Sequence, residues 1–515
     1  MNLFRAIATV GAMTMISRVL GFARDILIAA MIGPGLIGDA FFVAFKIPNL
    51  FRRLFAEGAF AAGFVPIFSE LAGAQGRDAA REFAAQSLAV LVVVLVVLVA
   101  LFEIAMPWLM MGLAPGFVGD PEKFDLAVTL TRITFPYLLF ISVVSLLGGV
   151  LNSLGKFAAA AATPILLNLA LIGALIGLAD IAPTAGHALA WGVAGAGVLQ
   201  LVWLWVATAR AGMALGLRRP KMTVKLRELA RLMLPAVVGS GVAQINIAVD
   251  IIIASLLATG SISYLFFADR LTQLPLGVIG VAVGTALLPL LSRQLAAGDC
   301  DGAANSLNRA VETALVLALP AAAALMIVAE PVVRVLFERG AFDAVATNAT
   351  ALAVVAYASG VPAYVMVKVL SPGFFARKDT KTPVRIAIVA LVVNIVLNLA
   401  LMGPMGHVGL ALATAIAAWL NAGLLAWMLV RRGHWLADDR LRQRLPQGVL
   451  ATGGLAVGLW LAVRWLAEPL AGSGVERIGT LAAVVAGGLV FYAALAHMLG
   501  VIKFGEIRAL ARRGS

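Results

Sequence analysis

The run AAQSLAVLVVVLVVLVALFEIAMP, from Ala84 to Pro107, decides the fold class. Its one charge is Glu103, and a helix needs about 20 such apolar residues to cross a hydrocarbon core. Comparable runs lie on both sides. Working outward, they predict helices near 6–32, 36–71, 84–107, 126–151, 159–179, 186–209, 229–258, 262–292, 307–329, 345–371, 383–402, 407–430, 446–466 and 477–500. Fourteen spans use on the order of 280 residues and leave short loops. The whole chain agrees: of 515 residues 62% are hydrophobic and 13% charged, with a mean hydropathy of +1.01. A soluble domain carries about 25% charge. A water-soluble enzyme, a disordered chain and an ordinary nucleic-acid-binding protein are excluded. The reading is an all-α, polytopic membrane protein.

The second and eighth runs are long for one straight span. They contain Pro48, Pro66, Pro275 and Pro289, which predict bends. The N-terminus starts basic and turns apolar, but Arg18 interrupts it and no cleavage site follows, so it reads as a retained first helix. The single Cys300 excludes an internal disulfide framework and reads as a loop thiol.

Lys and Arg total 39 against 26 acids, a net charge of +13, and the excess lies between the apolar runs. With the N-terminus inside, one set of connections holds Arg218, Arg219, Lys221, Lys225, Arg377, Lys378, Lys381, Arg431, Arg432, Arg440, Arg442 and Arg444. The opposite loops offer little more than Lys123, Arg334, Arg339 and Arg477. The positive-inside rule then puts both termini in the cytoplasm, which needs an even number of spans.

The chain also repeats itself. DILIAA from Asp25 recurs as DIIIAS from Asp250, each with a Gly ten residues after the Asp. FVPIFS ending at Ser69 matches LLPLLS ending at Ser292, and FA…TP recurs at Phe157 and Phe375. These pairs map helices 1–6 onto helices 7–12, a parallel repeat of two six-helix lobes with two extra C-terminal helices. The expected divisions are an N-lobe over 1–210, a basic cytoplasmic linker over 211–226, a C-lobe over 227–432, two helices over 433–502 and a basic tail over 503–515.

The informative residues are charges inside spans: Arg18, Arg24 and Asp25 on the first helix; Asp39, Lys46, Arg52, Arg53 and Glu57 on the second; Asp269 and Arg270 on the eighth. Insertion charges roughly 2.5–3.5 kcal/mol for each at a helix centre. Such groups must face each other or a wet cavity. At about 100° per residue, Ser17, Arg18, Gly21, Arg24 and Asp25 share one arc. Asp39, Lys46, Asn49, Arg53 and Glu57 share another, with Arg52 to one side, and Ser263, Arg270 and Gln273 align on the eighth helix. Pro48 leaves the choice between Arg52 and Arg53 open. Cations outnumber anions, and surplus guanidinium forks favour a phosphate ligand.

The stretch KIPNLFRRLFAEGAFAAGFVP, from Lys46 to Pro66, resembles the second-helix signature of the bacterial lipid II flippases, the MurJ/MviN family of the multidrug/oligosaccharidyl-lipid/polysaccharide exporter superfamily. SRVLGFARD from Ser17, ADR before Leu271 and SPGFFARKDTKTP from Ser371 carry the same resemblance, which covers essentially the whole chain. It implies a multi-pass protein of the bacterial cytoplasmic membrane. Such a protein moves lipid II, an undecaprenyl-diphosphate-linked muropeptide, from the inner to the outer leaflet by alternating access. It implies substrate-binding roles for Arg18, Arg24, Arg52 and Arg270, with Asp25 and Asp39 as acidic partners. Asn49, Arg53, Glu57, Ser263 and Asp269 would support them. Helices 13 and 14 would form the groove for the polyprenyl tail. Lipid II and membrane lipids are the implied partners, with cell-wall synthesis proteins beside them, and the monomer is the functional unit.

Asp250, Asn394, Asn398 and Thr414 resemble a sodium site of some family members, where the position of Asn398 can be Asp. The same residues suit an interhelical hydrogen-bond cluster. No Walker-type sequence and no nucleophile–base pair is legible, so a non-enzymatic transporter without an organic cofactor, driven by membrane potential, is expected. The rival reading is a cation-coupled exporter of drugs, or of another lipid-linked oligosaccharide, in the same superfamily. An exporter of cationic drugs would line its first cavity with acids, not arginines.

Overall fold

The computed structural model describes residues 3–53, 60–216, 218–472 and 474–501, and within them the fourteen apolar segments are helical. The first half runs α1 (Leu3–Met31), α2 (Leu36–Phe51), α3 (Ala61–Ala74), α4 (Arg77–Leu113), α5 (Pro121–Thr134), α6 (Tyr137–Ser153), α7 (Phe157–Leu178) and α8 (Ala185–Arg210). The second runs α9 (Val224–Ser255), α10 (Ser261–Pro275), α11 (Val281–Ala296), α12 (Cys300–Ile327), α13 (Ala329–Phe337), α14 (Ala344–Ser359), α15 (Val361–Phe375) and α16 (Lys381–Arg431). Then come α17 (Asp439–Trp465), α18 (Ala467–Ala471) and α19 (Gly474–Met498). Among the described residues, nine helices or helix pairs are long and apolar enough to cross a membrane. Helices α2, α3, α10 and α11 hold 16, 14, 15 and 16 residues, each too short alone.

The breaks follow the repeat. After α2 the chain enters a wide, π-type turn at Arg52, and after α10 a π-helical turn spans Leu276–Gly280. The expected bends therefore fall after Pro48 and Pro275, whereas Pro66 and Pro289 sit inside α3 and α11. The segments near 126–151 and 345–371 each remain one candidate span but are interrupted within it. The breaks lie at Phe135–Pro136 and at Gly360, just ahead of Pro362. Proline's missing N–H and fixed φ explain both. Within Lys381–Arg431, Gly406 (φ 56°) separates the two expected helices.

By internal contacts one compact unit comprises Met1–Ser263 with Arg339–Phe342, and a second comprises Tyr264–Glu338 with Asp343–Ser515. In the first, α7 packs on α1 and α8, α2 on α5, and α3 on α4, α6 and α9. Phe64 stacks at 5.6 Å on Phe68 and at 5.4 Å on Phe83. Lipid is as apolar as leucine, so close contact rather than water exclusion joins such helices. Accordingly, a Cβ added at Gly192 of α8 would lie 2.7 Å from that of Ala174 on α7. The Arg339–Phe342 segment joins this unit through a backbone bond, Ala341 N to Ala30 O at 2.8 Å. Gly340 there has φ 59°, and a Cβ on it would meet Ala30 O at 2.2 Å, so glycine is required twice over. On α4, Val94, Val97, Leu101 and Ile104 are exposed, the outward face of a helix that meets hydrocarbon.

In the second unit, Leu307, Val311, Val369, Phe374 and Leu429 form the middle of the core where α12, α15 and α16 meet. The turn between α15 and α16 is pinned by charge. Arg432 donates from Nη1 to Asp379 Oδ2 at 2.6 Å and from Nη2 to Thr382 Oγ1 at 2.9 Å, while Thr382 N donates to Asp379 Oδ1 at 3.0 Å. Partial burial works against the Asp379 carboxylate, but the Thr382 and Arg432 bonds outweigh it and hold its pKa at about 2, below the ordinary 3.8. A depressed folded value means the stabilisation is complete above 3.8 and is lost as pH falls through 2. Asp379→Asn should therefore flatten the stability–pH profile between pH 4 and 2, read by thermal unfolding in detergent.

Candidate functional site

The arc on α1 is built around Arg24 and Asp25, which are 5% and 2% exposed. Arg24 donates from Nε and Nη2 to the same oxygen, Asp25 Oδ1, at 2.9 and 2.6 Å. Its Nη1 donates to Asn168 Oδ1 on α7 at 2.9 Å. Asn168 in turn donates from Nδ2 to Ser17 O at 2.9 Å, about two helical turns before Arg24 on α1. Gly21 makes room for it, since a Cβ there would reach 3.4 Å from Asn168 Nδ2. A planar guanidinium held on two sides has one orientation, the condition for recognising a phosphate by direction as well as by charge. Arg18, six residues earlier, is exposed.

Arg52 and Arg53 lie in the wide turn after α2. Arg52 is half-buried and donates from Nε to Asn49 Oδ1 at 3.1 Å, while Asn49 Nδ2 donates to Phe45 O at 2.7 Å. Arg53 is exposed and Lys46 half-buried. Glu57 lies outside the described residues.

Asp39 and Ser263 come together, with a partner that sequence reasoning had assigned to an outer loop. Asp39 is 1% exposed and Lys123 3%. Lys123 Nζ donates to Asp39 Oδ2 at 2.9 Å. Gly260 N donates to the same oxygen at 2.7 Å. Ser263 donates to Oδ1 from its backbone N at 3.0 Å and from Oγ at 2.7 Å. Asp39 thus caps the N-terminus of α10, where a carboxylate meets orphan N–H groups and the positive end of the helix dipole. Both of its oxygens are engaged by protein donors.

In the second unit, Arg270 is half-buried with its guanidinium carbon 4.7 Å above the Phe266 ring, and Asp269 accepts a hydrogen bond from Gln273. Asn398 Nδ2 donates to Asn394 Oδ1 at 3.1 Å, and Asn394 Nδ2 to Thr414 Oγ1 at 3.4 Å. Thr414 Oγ1 donates to Leu410 O at 3.0 Å. This chain ties the two parts of α16 across Gly406, and it engages the Asn394 and Thr414 oxygens that a cation would need. Asp250, in the first unit, is half-buried and accepts from Asn246 Nδ2 at 3.3 Å.

One further cluster escaped the sequence reading. Glu312 on α12 is 7% exposed and accepts from Arg444 Nη1 at 2.7 Å, from Arg440 Nε at 3.2 Å and from Arg309. Arg309 also pairs with Asp438, whose Oδ1 accepts from Leu441 N at 2.8 Å and so caps α17. Arg440 and Arg444 are not loop charges: at i and i+4 they share one face of α17. Their spacing was the available signal. For Asn168 the signal was an amide inside an apolar run. For Lys123 it was a cation in the first turn of a helix, the wrong end of the dipole.

A family model described as lipid II flippase MurJ matches residues 28–476. The chain is 44% identical over 521 residues to the probable lipid II flippase MurJ of Rhizobium meliloti (strain 1021), covering 100% of this chain and 97% of that protein. To the lipid II flippase MurJ of Burkholderia cenocepacia it is 38% identical over 516 residues, covering 98% of each. Among solved structures, a lipid II flippase MurJ in an inward closed conformation superposes with a TM-score of 0.77 at 26% identity, covering 95% of this chain and 99% of that one. An inward-facing multidrug-resistance MATE transporter of the MOP superfamily gives 0.68 at 15% identity, covering 83% and 98%, a likeness of fold alone. This multi-pass membrane protein therefore belongs to the lipid II flippase MurJ family.

Proposed function

We propose that the chain is a transporter that carries lipid II from the inner to the outer leaflet of the bacterial cytoplasmic membrane. It would work by alternating access between lobes over 1–210 and 227–432, with both termini in the cytoplasm. One observation carries the reading beyond family membership. Asp39 is neutralised by Lys123, so among the described residues of the first unit Arg18, Arg24 and Arg52 are set against the one acid Asp25, a cationic surplus. Such a surplus is costly within a membrane unless a ligand brings negative charge. A diphosphate headgroup does so, and the residues proposed to bind it are Arg18, Arg24, Arg52 and Arg270, with Asp25 beside them. The MATE-like alternative has fold similarity behind it, but a cationic cargo would face arginines.

Transport outward of a negative headgroup is favoured by an inside-negative potential, by about 2.3 kcal/mol per charge per 100 mV. Collapsing the potential in proteoliposomes holding defined lipid II should slow flipping at least tenfold. Replacing sodium by choline with the potential held should leave the rate, because the Asn398–Asn394–Thr414 chain supports an interhelical cluster over a sodium site. An unchanged rate without potential would count against the coupling. In the same assay Arg270→Ala should abolish flipping while the protein still inserts and unfolds cooperatively.

A further inference from the structure

We infer that Lys123 is a positioning residue of the transport cycle, acting through Asp39 on the N-terminus of α10. The inference rests on the flippase reading and deepens it. Lys123 stands three residues after Asp120, the N-cap of α5, whose Oδ1 accepts from Lys123 N at 3.2 Å. A cation there opposes the helix dipole, and burial to 3% exposure takes away its water. Neither local cost has a local reason. The compensation is tertiary: Asp39 Oδ2 at 2.9 Å, Thr259 Oγ1 at 3.3 Å and the Phe117 ring at 4.4 Å. The neighbours close the site tightly. A Cβ on Gly38 would lie 2.5 Å from Gly33 O and 2.8 Å from Ser263 Oγ. Gly116, beside Phe117, donates its N–H to Ser255 Oγ at 3.2 Å, and a Cβ on it would lie 2.0 Å from Ser255 O.

The consequence runs along one helix. Asp39 accepts three hydrogen bonds from Gly260 and Ser263, and Arg270 lies seven residues beyond Ser263 on α10, about 10 Å along its axis. Holding the first turn of α10 therefore acts on the movement of that helix during transport rather than on the Arg270 side chain. A bare carboxylate cannot do this in so dry a place. Paired with Lys123, it is neutral overall and still accepts from the α10 backbone. Lys123 is thus the charge that lets Asp39 dock α10 without touching substrate.

The test compares Lys123→Met, Asp39→Asn and the double variant in the full chain. Each is reconstituted and measured for lipid II binding, for lipid II flipping and for thermal unfolding. Lys123→Met should flip at least tenfold more slowly, with lipid II affinity within about twofold of the parent. The double variant, with no buried charge left alone, should recover at least tenfold over Lys123→Met, and its unfolding midpoint should exceed that of Lys123→Met. If Lys123→Met does not fold, the double variant decides alone: folding and flipping sustain the inference, and folding without flipping overturns it. Parent-level flipping by Lys123→Met, affinity that falls in step with flipping, or a double variant no better than the single overturns it too. A parent protein that does not flip lipid II defeats the flippase reading instead. The unfolding comparison uses no substrate and still reads whether Lys123 serves Asp39.

Discussion

Arg24→Ala abolishes flipping, the largest effect expected of any single substitution here. Arg24 donates three hydrogen bonds, two of them to Asp25. Charge-assisted bonds contribute roughly 1.5–3 kcal/mol each, and losing the fork also strands Asp25, 2% exposed, without its partner at 2.6 Å. Breaking a buried pair from one side costs about 3–5 kcal/mol, equivalent to about a hundredfold or more in an equilibrium. The flipping assay and complementation of a flippase-depleted strain both read it. Arg24→Lys keeps the charge but loses the planar fork, and it should remain well below the parent. Asn168→Ala removes one oriented bond and should cost much less. Full activity in both Arg24→Ala and Arg270→Ala would remove the phosphate-clamp reading.

Glu312→Ala comes second, and its expected effect is on stability rather than on transport chemistry. Arg309, Arg440 and Arg444 converge on that one carboxylate. Without it, Arg444, 9% exposed, is left facing two like charges across the α12–α17 contact. The cost is again about 3–5 kcal/mol, seen as a lower unfolding midpoint in detergent and earlier proteolysis of the C-terminal helices. Pairing Glu312→Ala with Arg444→Met should restore part of the midpoint, because the apolar pair leaves no buried charge alone. Equal midpoints for Glu312→Ala and the parent would show that the cluster is held elsewhere.

Much of the fold was legible in the one-dimensional pattern. Apolar runs of about 20 residues have few alternatives in a bilayer, and all fourteen became helical. The breaks at Pro136 and Gly360 were not, because proline within a span can be tolerated, kinked or fully broken according to its neighbours. Candidate residues were legible only as a class: charges inside spans are rare enough to single out Arg18, Arg24, Asp25, Asp39, Lys46, Arg52, Arg53, Glu57, Asp269 and Arg270 without a structure.

Pairing was another matter. Asp39 looked like one more member of the α1–α2 cluster, and Lys123 like an outer-loop charge. The folded chain joins them at 2.9 Å. Glu312 and Arg444, 132 residues apart, meet at 2.7 Å. Hydropathy and helical period act over a few turns of chain, so the sequence alone determined membrane insertion, which runs become helical and which charges lie inside them. Which charge neutralises which depends on contacts across tens to hundreds of residues. Only the tertiary structure decided that Asp39 belongs to Lys123 and α10, and that Arg24 is aimed by Asp25 and Asn168.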